Sequence, residues 1–124
     1  MYLCTKYHKY IQTNNMEQKI SVVINTYNAE AKLAKVLDTV KDFDEVVICD
    51  MESTDSTLDI ARKYNCKIVT FPKGEHKIVE PARQFAIDSA TYKWVLVVDA
   101  DELITPELKS TLYDLLKSDD IPSV

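Results

Sequence analysis

The hydrophobic pattern of this chain switches repeatedly between two periods. Short runs rich in β-branched residues predict buried strands, and the segments between them carry apolar residues at spacings of three and four, which predicts helices. Strands that alternate with helices indicate a parallel sheet with right-handed crossovers. The predicted fold class is therefore α/β, an open and mostly parallel sheet with helices on both faces. The predicted strands are Ile20–Asn25, Glu45–Asp50, Cys66–Phe71 and Trp94–Asp99.

Four helices are predicted between and after these strands. Asn28 is expected to cap the first helix, Ser53 or Thr54 to open the second, and the third is expected to begin near Pro81. Thr105-Pro106-Glu107 is a strong start for the fourth, because it combines a capping hydroxyl, a proline at the first position and an acid in the first turn. The residues expected to face the core are Leu33, Val36, Leu37 and Val40, then Leu58, Ala61 and Tyr64, then Ala82, Phe85, Ala86 and Ala90, and last Leu108, Leu112, Leu115 and Leu116.

Residues 1–19 show neither period, and we interpret them as an N-terminal extension to one domain over residues 20–124. Met16 stands just before the first strand, so a natural start there is a hypothesis that the intact mass of the gene product tests. The N-terminus lacks the apolar core of a signal peptide, and no window approaches the ~18 apolar residues of a spanning helix. We therefore expect a cytoplasmic protein and leave open a peripheral contact with the inner face of the membrane.

Charge and rare residues exclude several kinds of site. The formal net charge of −5 leaves no basic excess for a nucleic-acid backbone, although a metal ion can join acidic residues to a phosphate. The three cysteines, Cys4, Cys49 and Cys66, lack the spacing of a disulfide framework or a zinc site, and we expect buried thiols. Gly74 is the only glycine, so the sequence has no glycine-rich phosphate loop.

Acidic residues collect where the predicted strands end. In open parallel sheets, ligands bind beyond the carboxyl ends of the strands. The fourth strand runs into Asp99-Ala100-Asp101-Glu102. Asp99 and Asp101 leave that strand on the same side and can share a metal ion with phosphate oxygens and water, which suits Mg²⁺ or Mn²⁺. The alternative is that these acids only cap the strand end and the next helix. We favour the metal because the motif directly follows a buried strand.

Other residues at the strand ends are candidates for binding a ligand. Asp50 also ends a strand, and we assign it to the ligand, whereas Asp55 is assigned to capping of the second helix. Tyr27 either stacks on a base or packs at the start of a helix. Arg83 either contacts a diphosphate, which suits its charge and its fork of donors, or lies on a solvated helix face.

Five segments, in a fixed order, carry a family resemblance: Ile20–Asn28, Val46–Asp50, Ser53–Thr57, Ala82–Ala86 and Trp94–Glu102. Together they resemble family 2 glycosyltransferases with the GT-A fold. The resemblance is closest to the group that adds glucose-like sugars to bacterial lipopolysaccharide cores, the β-1,4-glucosyltransferase-like enzymes. Each segment is a weak signal alone, and their common order and spacing make the resemblance specific. It extends from Ile20 to about Leu116.

The resemblance implies a role for each candidate residue, in a site for a nucleotide sugar. Thr26, Tyr27 and Glu30 would surround the base, Asp50 would hold the uracil or its ribose, Arg83 would lie near the diphosphate, Asp99 would contact the ribose side, and Asp101, with Asp99, would ligate Mg²⁺ or Mn²⁺. The implied reaction moves a sugar, with inversion, from a UDP-linked donor to a saccharide or lipid-linked acceptor in cell-envelope glycan synthesis. The metal would neutralise charge on the departing nucleoside diphosphate.

Length and departures from the family pattern qualify this expectation. Family members need a further segment that binds the acceptor and supplies a carboxylate general base, which we expect downstream of Val124. Without that segment one sheet edge should lie open and favour a homodimer. Asn25 replaces the usual proline, and Met51-Glu52 replaces a pair that often contains glycine, which removes easy access to positive φ.

Two functions of other classes are alternatives to the transferase. A non-catalytic nucleotide-sugar-binding or interaction module would keep the fold and transfer nothing, and the short length of the chain favours it. A phosphatase of the haloacid dehalogenase type also places two aspartates after a strand. That motif normally opens its domain, whereas Asp99 and Asp101 come last here, so the phosphatase is disfavoured.

Overall fold

The computed structural model of the chain describes residues 1–5, 18–73 and 80–117. These residues form one five-stranded sheet in the order β1-β5-β2-β3-β4, in which β1 is antiparallel to β5 and the other pairs are parallel. The predicted fold class and the four predicted strands are confirmed, and no strand end is shifted by more than one residue. The elements are β1 Tyr2–Thr5, β2 Ile20–Thr26, α1 Leu33–Val40, β3 Glu45–Asp50, α2 Thr57–Lys63, β4 Lys67–Thr70, α3 Glu80–Ser89, β5 Trp94–Val98 and α4 Pro106–Lys117.

The sheet is buried between helices on both faces. Alternate side chains of one strand point to opposite faces, so Ile24 and Val23 of β2 belong to two different hydrophobic clusters. Residues of α1, α2 and α4, such as Leu37 and Leu112, complete one cluster. Ala86 of α3 and Ala90, the residue after this helix, complete the other. Strands buried on both faces explain why the strand runs of the sequence are continuously apolar.

The N-terminal strand β1 was not predicted. It pairs with β5 along its whole length, from Tyr2 opposite Val97 to Thr5 opposite Trp94. A four-residue strand with one buried side chain, Cys4, is too short to show a period in the sequence. Consequently β5 has neighbours on both sides, and the edges of the described sheet are β1 and β4. The proposed start at Met16 lies outside the described residues.

Two predicted helix starts are wrong, because turns precede both helices. α1 begins at Leu33, and Asn28 lies in the preceding loop with a φ of 48° instead of capping the helix. α2 begins at Thr57, later than Ser53 or Thr54. The start predicted for α4 is confirmed, since the Thr105 hydroxyl accepts a hydrogen bond from Leu108 N at 3.1 Å.

Most residues predicted to face the core do so, with three exceptions. Phe85 is 40% exposed and packs at the sheet border, with its ring centroid 5.5 Å from that of Phe71. Leu115 is 47% exposed. The buried stripe of α4 runs through Leu112 and Leu116, and Leu115 lies about 100° around the helix from Leu116. Leu58 is half-buried but belongs to neither cluster, and Ile60 packs against the core instead.

The three cysteines are free thiols, as expected. Cys4 and Cys49 are buried, and Cys66 is half-buried. Burial raises the pKa of Cys66 to about 11, and burial together with the neighbouring Asp50 carboxylate raises the pKa of Cys49 to about 11. These thiols therefore stay protonated at neutral pH, which fits a packing role. Among the described residues, no helix is long and apolar enough to span a membrane.

Candidate functional site

Three parallel strands end side by side and form the rim of the candidate site. β2 ends at Thr26, β3 at Asp50 and β5 at Val98. The crossover through α1 leads from β2 to β3 on one side, whereas β5 pairs with the other side of β2. The strand order therefore reverses between β2 and β5. In open α/β sheets, ligands bind in the crevice at such a reversal.

A cleft of about 340 Å³ lies at this reversal. Its volume falls within the range of about 300–1,000 Å³ that is typical of small-ligand sites. One wall comes from the loop after β2 and the other from the residues after β5. A larger groove of about 620 Å³ runs between α1 and α4, but none of the predicted site residues lines it. The residues lining the smaller cleft are Asn28, Ala29, Ala31, Lys32, Ala100 and Asp101.

Asp50 holds the first two rim loops together from inside the protein. Its Oδ1 accepts hydrogen bonds from the hydroxyls of Thr26 and Ser53, both at 2.7 Å, and its Oδ2 accepts one from Ser53 N at 2.9 Å. The side chains of Asp50 and Thr26 are both buried, with 1% of each residue exposed. Both residues therefore have a structural role, and their predicted contact with a nucleotide stays a prediction.

The loops after β2 and β3 are joined by further hydrogen bonds. Asn28 Oδ1 accepts from Thr54 N at 2.7 Å, and Glu30 Oε2 accepts from Ser56 N at 3.2 Å. Glu30 N in turn donates to Asp55 Oδ2 at 3.2 Å. Glu30, predicted to lie near a base, is thus also a link between the two loops.

Asp55 bonds to the first residue of α2 from the turn before the helix. The N-cap position predicted for it belongs to Ser56, which makes no side-chain capping bond. Its Oδ1 accepts from the backbone N of Thr57 at 2.9 Å and from the hydroxyl of the same residue. Desolvation raises the pKa of Asp55, but these hydrogen bonds outweigh it and hold the pKa below its usual value. The carboxylate therefore stays ionised at neutral pH and fixes the first turn of the helix.

Asp99 and Asp101 are both exposed after β5. The neighbouring Glu102 is occupied, because its Oε1 accepts from Asp99 N at 2.8 Å and its Oε2 from the amino group of Met1 at 2.9 Å. Desolvation raises the pKa of Glu102, but the two donors lower it by more, so the pKa lies below its usual value. Within the described ranges, no group of three or more His, Cys, Asp or Glu side chains could hold a metal. A metal at the two aspartates would take its remaining ligands from a bound molecule and water.

A lysine that the sequence analysis missed covers Tyr27. Tyr27 is 44% exposed, and the ammonium of Lys73 lies 3.6 Å from its ring centroid. Lys73 N also donates to Glu52 Oε1 at 3.2 Å. The cation–π contact and this hydrogen bond connect the loops after β2, β3 and β4. Arg83, half-buried in the first turn of α3, is not among the residues that line the cleft.

Among the predicted site residues, Asp101 is the one that lines the cleft. Lys32 in the cleft wall and Lys73 over Tyr27 were not predicted. A signal was present for neither lysine, since an isolated lysine in a polar segment is typical of a solvated surface.

Glu52 occupies the left-handed region, with a φ of 64°, and belongs to the pair Met51-Glu52 that departs from the family pattern noted above. A residue with a Cβ atom is strained there by about 1–2 kcal/mol. We expect Glu52→Gly to have a free energy of unfolding about 1 kcal/mol higher than that of Glu52→Ala, measured by urea denaturation. Both variants lose the bond to Lys73 N, so their difference isolates the backbone strain. Equal stabilities would show that the strain is absent.

Comparisons with known proteins agree with this geometry. The family described as "Glycosyl transferase family 2" matches residues 21–122. An uncharacterized glycosyltransferase of Rickettsia typhi is 36% identical over 102 residues, which cover 82% of this chain and 34% of that protein. The poly(ribitol-phosphate) beta-N-acetylglucosaminyltransferase TarS of Staphylococcus aureus is 36% identical over 106 residues, which cover 77% of this chain and 18% of that protein. The chain thus spans about a third of the length of the first of these relatives.

Solved structures show the same relationship. The crystal structure of TarS 1–349 in complex with UDP has a TM-score of 0.66 and 33% identity, over 77% of this chain and 31% of that one. Glucosyl-3-phosphoglycerate synthase from Mycobacterium tuberculosis, in complex with Mn²⁺, UDP and glucosyl-3-phosphoglycerate, has a TM-score of 0.58 and 25% identity, over 85% of this chain and 43% of that one. The fold is that of the GT-A glycosyltransferases, and the chain belongs to glycosyl transferase family 2.

Proposed function

We propose that this chain binds the donor in the transfer of a sugar from a UDP-linked nucleotide sugar to a saccharide or lipid-linked acceptor of the cell envelope, with inversion. The observation that carries the proposal is the position of Asp101, in a cleft at the strand-order reversal and next to the exposed Asp99. The similarity to TarS, a poly(ribitol-phosphate) beta-N-acetylglucosaminyltransferase solved in complex with UDP, supports a UDP-linked donor.

The two ends of the rim suit the base and the diphosphate of a nucleotide sugar. Lys73 lies over one face of the Tyr27 ring, and we assign the base to the other face, because every base has a π face that stacks on aromatic side chains. Glu30, Thr26 and Asp50 hold the loops around it, and Asp50 stays our candidate for the uracil or ribose. Arg83 stays a candidate for the diphosphate.

A divalent metal fits the other end of the rim. Asp99 and Asp101 offer two exposed carboxylates at positions i and i+2, and oxygen ligands of this kind suit Mg²⁺ or Mn²⁺. The metal, when bound, neutralises charge on the departing nucleoside diphosphate. The Mn²⁺ and UDP in the related synthase support this assignment. Glu102 already accepts two hydrogen bonds, so we do not assign it as the general base.

Thermal unfolding with UDP and Mn²⁺, compared with ADP and Mn²⁺, tests the choice of donor. A ligand present at 100 times its Kd stabilises a protein by about 2.7 kcal/mol, which raises Tm by several degrees. We expect UDP to raise Tm and ADP, with the same diphosphate, to raise it less. Equal shifts would rule out recognition of uridine.

The alternative function is a non-catalytic nucleotide-sugar-binding or interaction module. Such a module would keep the cleft lined by Asp101 and transfer nothing. Release of UDP from a UDP-sugar in the presence of acceptor distinguishes the two functions.

A homodimer through a sheet edge, β1 or β4, remains a prediction, and a monomeric mass in light scattering at all concentrations would oppose it. A cytoplasmic location likewise stays our expectation.

A further inference from the structure

Lys32 lines the same cleft as Asp101. It lies on the wall formed by the loop after β2, and Asp101 lies on the opposite wall. The structure thereby places one positive and one negative side chain around the same space of about 340 Å³. We propose that Lys32 binds the diphosphate of the nucleotide-sugar donor, an inference that rests on the proposed function and adds a residue to that site.

Among the described residues, the ammonium of Lys32 has no counter-charge. Lys32 is exposed, and in the part of the chain that the structure describes no ion pair joins it to Asp101 or to another carboxylate. An ammonium group carries three donors and no acceptor. A ligand that satisfies it must therefore present acceptor oxygens, preferably charged ones.

The carboxylates near the cleft would repel an anionic ligand unless a cation offsets their charge. Asp99, Asp101 and Glu102 all follow β5, and their carboxylates repel an anion that approaches the strand end. A divalent metal at Asp99 and Asp101 offsets that repulsion on one wall. Lys32 supplies positive charge on the other wall, so a diphosphate between the walls meets a cation on each side.

The shape of the cleft agrees with this placement. The residues beside Lys32 in the wall, Ala29 and Ala31, are small and leave room for the phosphate oxygens to approach. Asn28, the remaining residue of this wall, uses its Oδ1 for Thr54 N at 2.7 Å. The ammonium is therefore the charged group of this wall that can select an anionic ligand.

The test compares UDP and UMP binding by calorimetry, in the presence of Mn²⁺, to the complete chain and its variants. Lys32→Met keeps most of the side-chain length and removes the charge. Lys35→Met is the matched control, because Lys35 is also exposed but does not line the cleft. A charge-assisted hydrogen bond contributes enough that we expect about ten-fold weaker UDP binding for Lys32→Met, a smaller loss for UMP, and no change for Lys35→Met.

Further variants separate charge from shape. Lys32→Arg should keep UDP affinity within about three-fold, and UDP binding to Lys32→Met should depend less on salt than binding to the unaltered protein. Equal losses for UDP and UMP, or equal affinities of Lys32→Met and Lys35→Met, would overturn the assignment of Lys32 while leaving the donor site in place. An unaltered protein that binds no UDP would instead remove the proposed function itself.

Discussion

Replacing Asp50 by alanine is expected to lower the free energy of unfolding by about 3 kcal/mol. The carboxylate is buried and accepts hydrogen bonds from the hydroxyls of Thr26 and Ser53 and from Ser53 N. Alanine leaves these donors without their acceptor, and each unsatisfied buried group costs about 1–3 kcal/mol. Because domains are stable by only about 5–15 kcal/mol, the variant loses a large part of its stability.

Urea denaturation of the variant beside Asp59→Ala checks this expectation. Asp59 is an exposed carboxylate that pairs with Arg62 at 3.0 Å, and surface pairs of this kind contribute about 1 kcal/mol or less. We expect the Asp59 variant to resemble the unaltered protein. If both variants lost the same stability, the buried network around Asp50 would not be a main support of the rim.

Filling the cleft is expected to weaken UDP binding by at least about ten-fold, an affinity loss of about 1.4 kcal/mol. Ala31 lines the cleft and is exposed, so Ala31→Phe places a ring in the space proposed for the donor without disturbing the core. The fold should be unchanged, because the side chain at this position packs against neither hydrophobic cluster.

Calorimetric titration of UDP in the presence of Mn²⁺ measures the effect. Lys35→Phe adds the same ring at an exposed position of α1 outside the cleft and should bind UDP normally. Circular dichroism confirms that both variants are folded. Normal binding by Ala31→Phe would place the donor elsewhere, and the groove between α1 and α4 would become the next candidate.

The sequence predicted the architecture because its main strands are buried on both faces. β2, β3 and β5 are short apolar runs, and helical spacing in α1 matches the residues found buried, from Leu33 to Val40. β1 was missed because its position depends on pairing with β5, a contact across most of the chain. The starts of α1 and α2 were placed too early because hydrogen bonds between loops, such as Thr54 N to Asn28 Oδ1, compete with helix formation there.

The site was predicted less completely than the fold. The topology brings strand ends to one rim, so the sequence could place Asp50, Asp99 and Asp101 near one another. It could not decide which acid is buried, since the burial of Asp50 depends on Thr26 and Ser53 in other segments. Lys32 gave no local signal, and its position opposite Asp101 emerges only from the folded loops.

Titration of UDP into the protein with and without Mn²⁺, repeated on Asp101→Ala, tests the central claim most directly. The account predicts UDP binding that requires Mn²⁺ and is lost in the variant, because Asp101 lines the cleft and is our main candidate ligand for the metal. Binding that is the same with and without Mn²⁺, or that survives in Asp101→Ala, would contradict the metal-assisted donor site. Absence of binding under all conditions would contradict a donor site in this chain altogether.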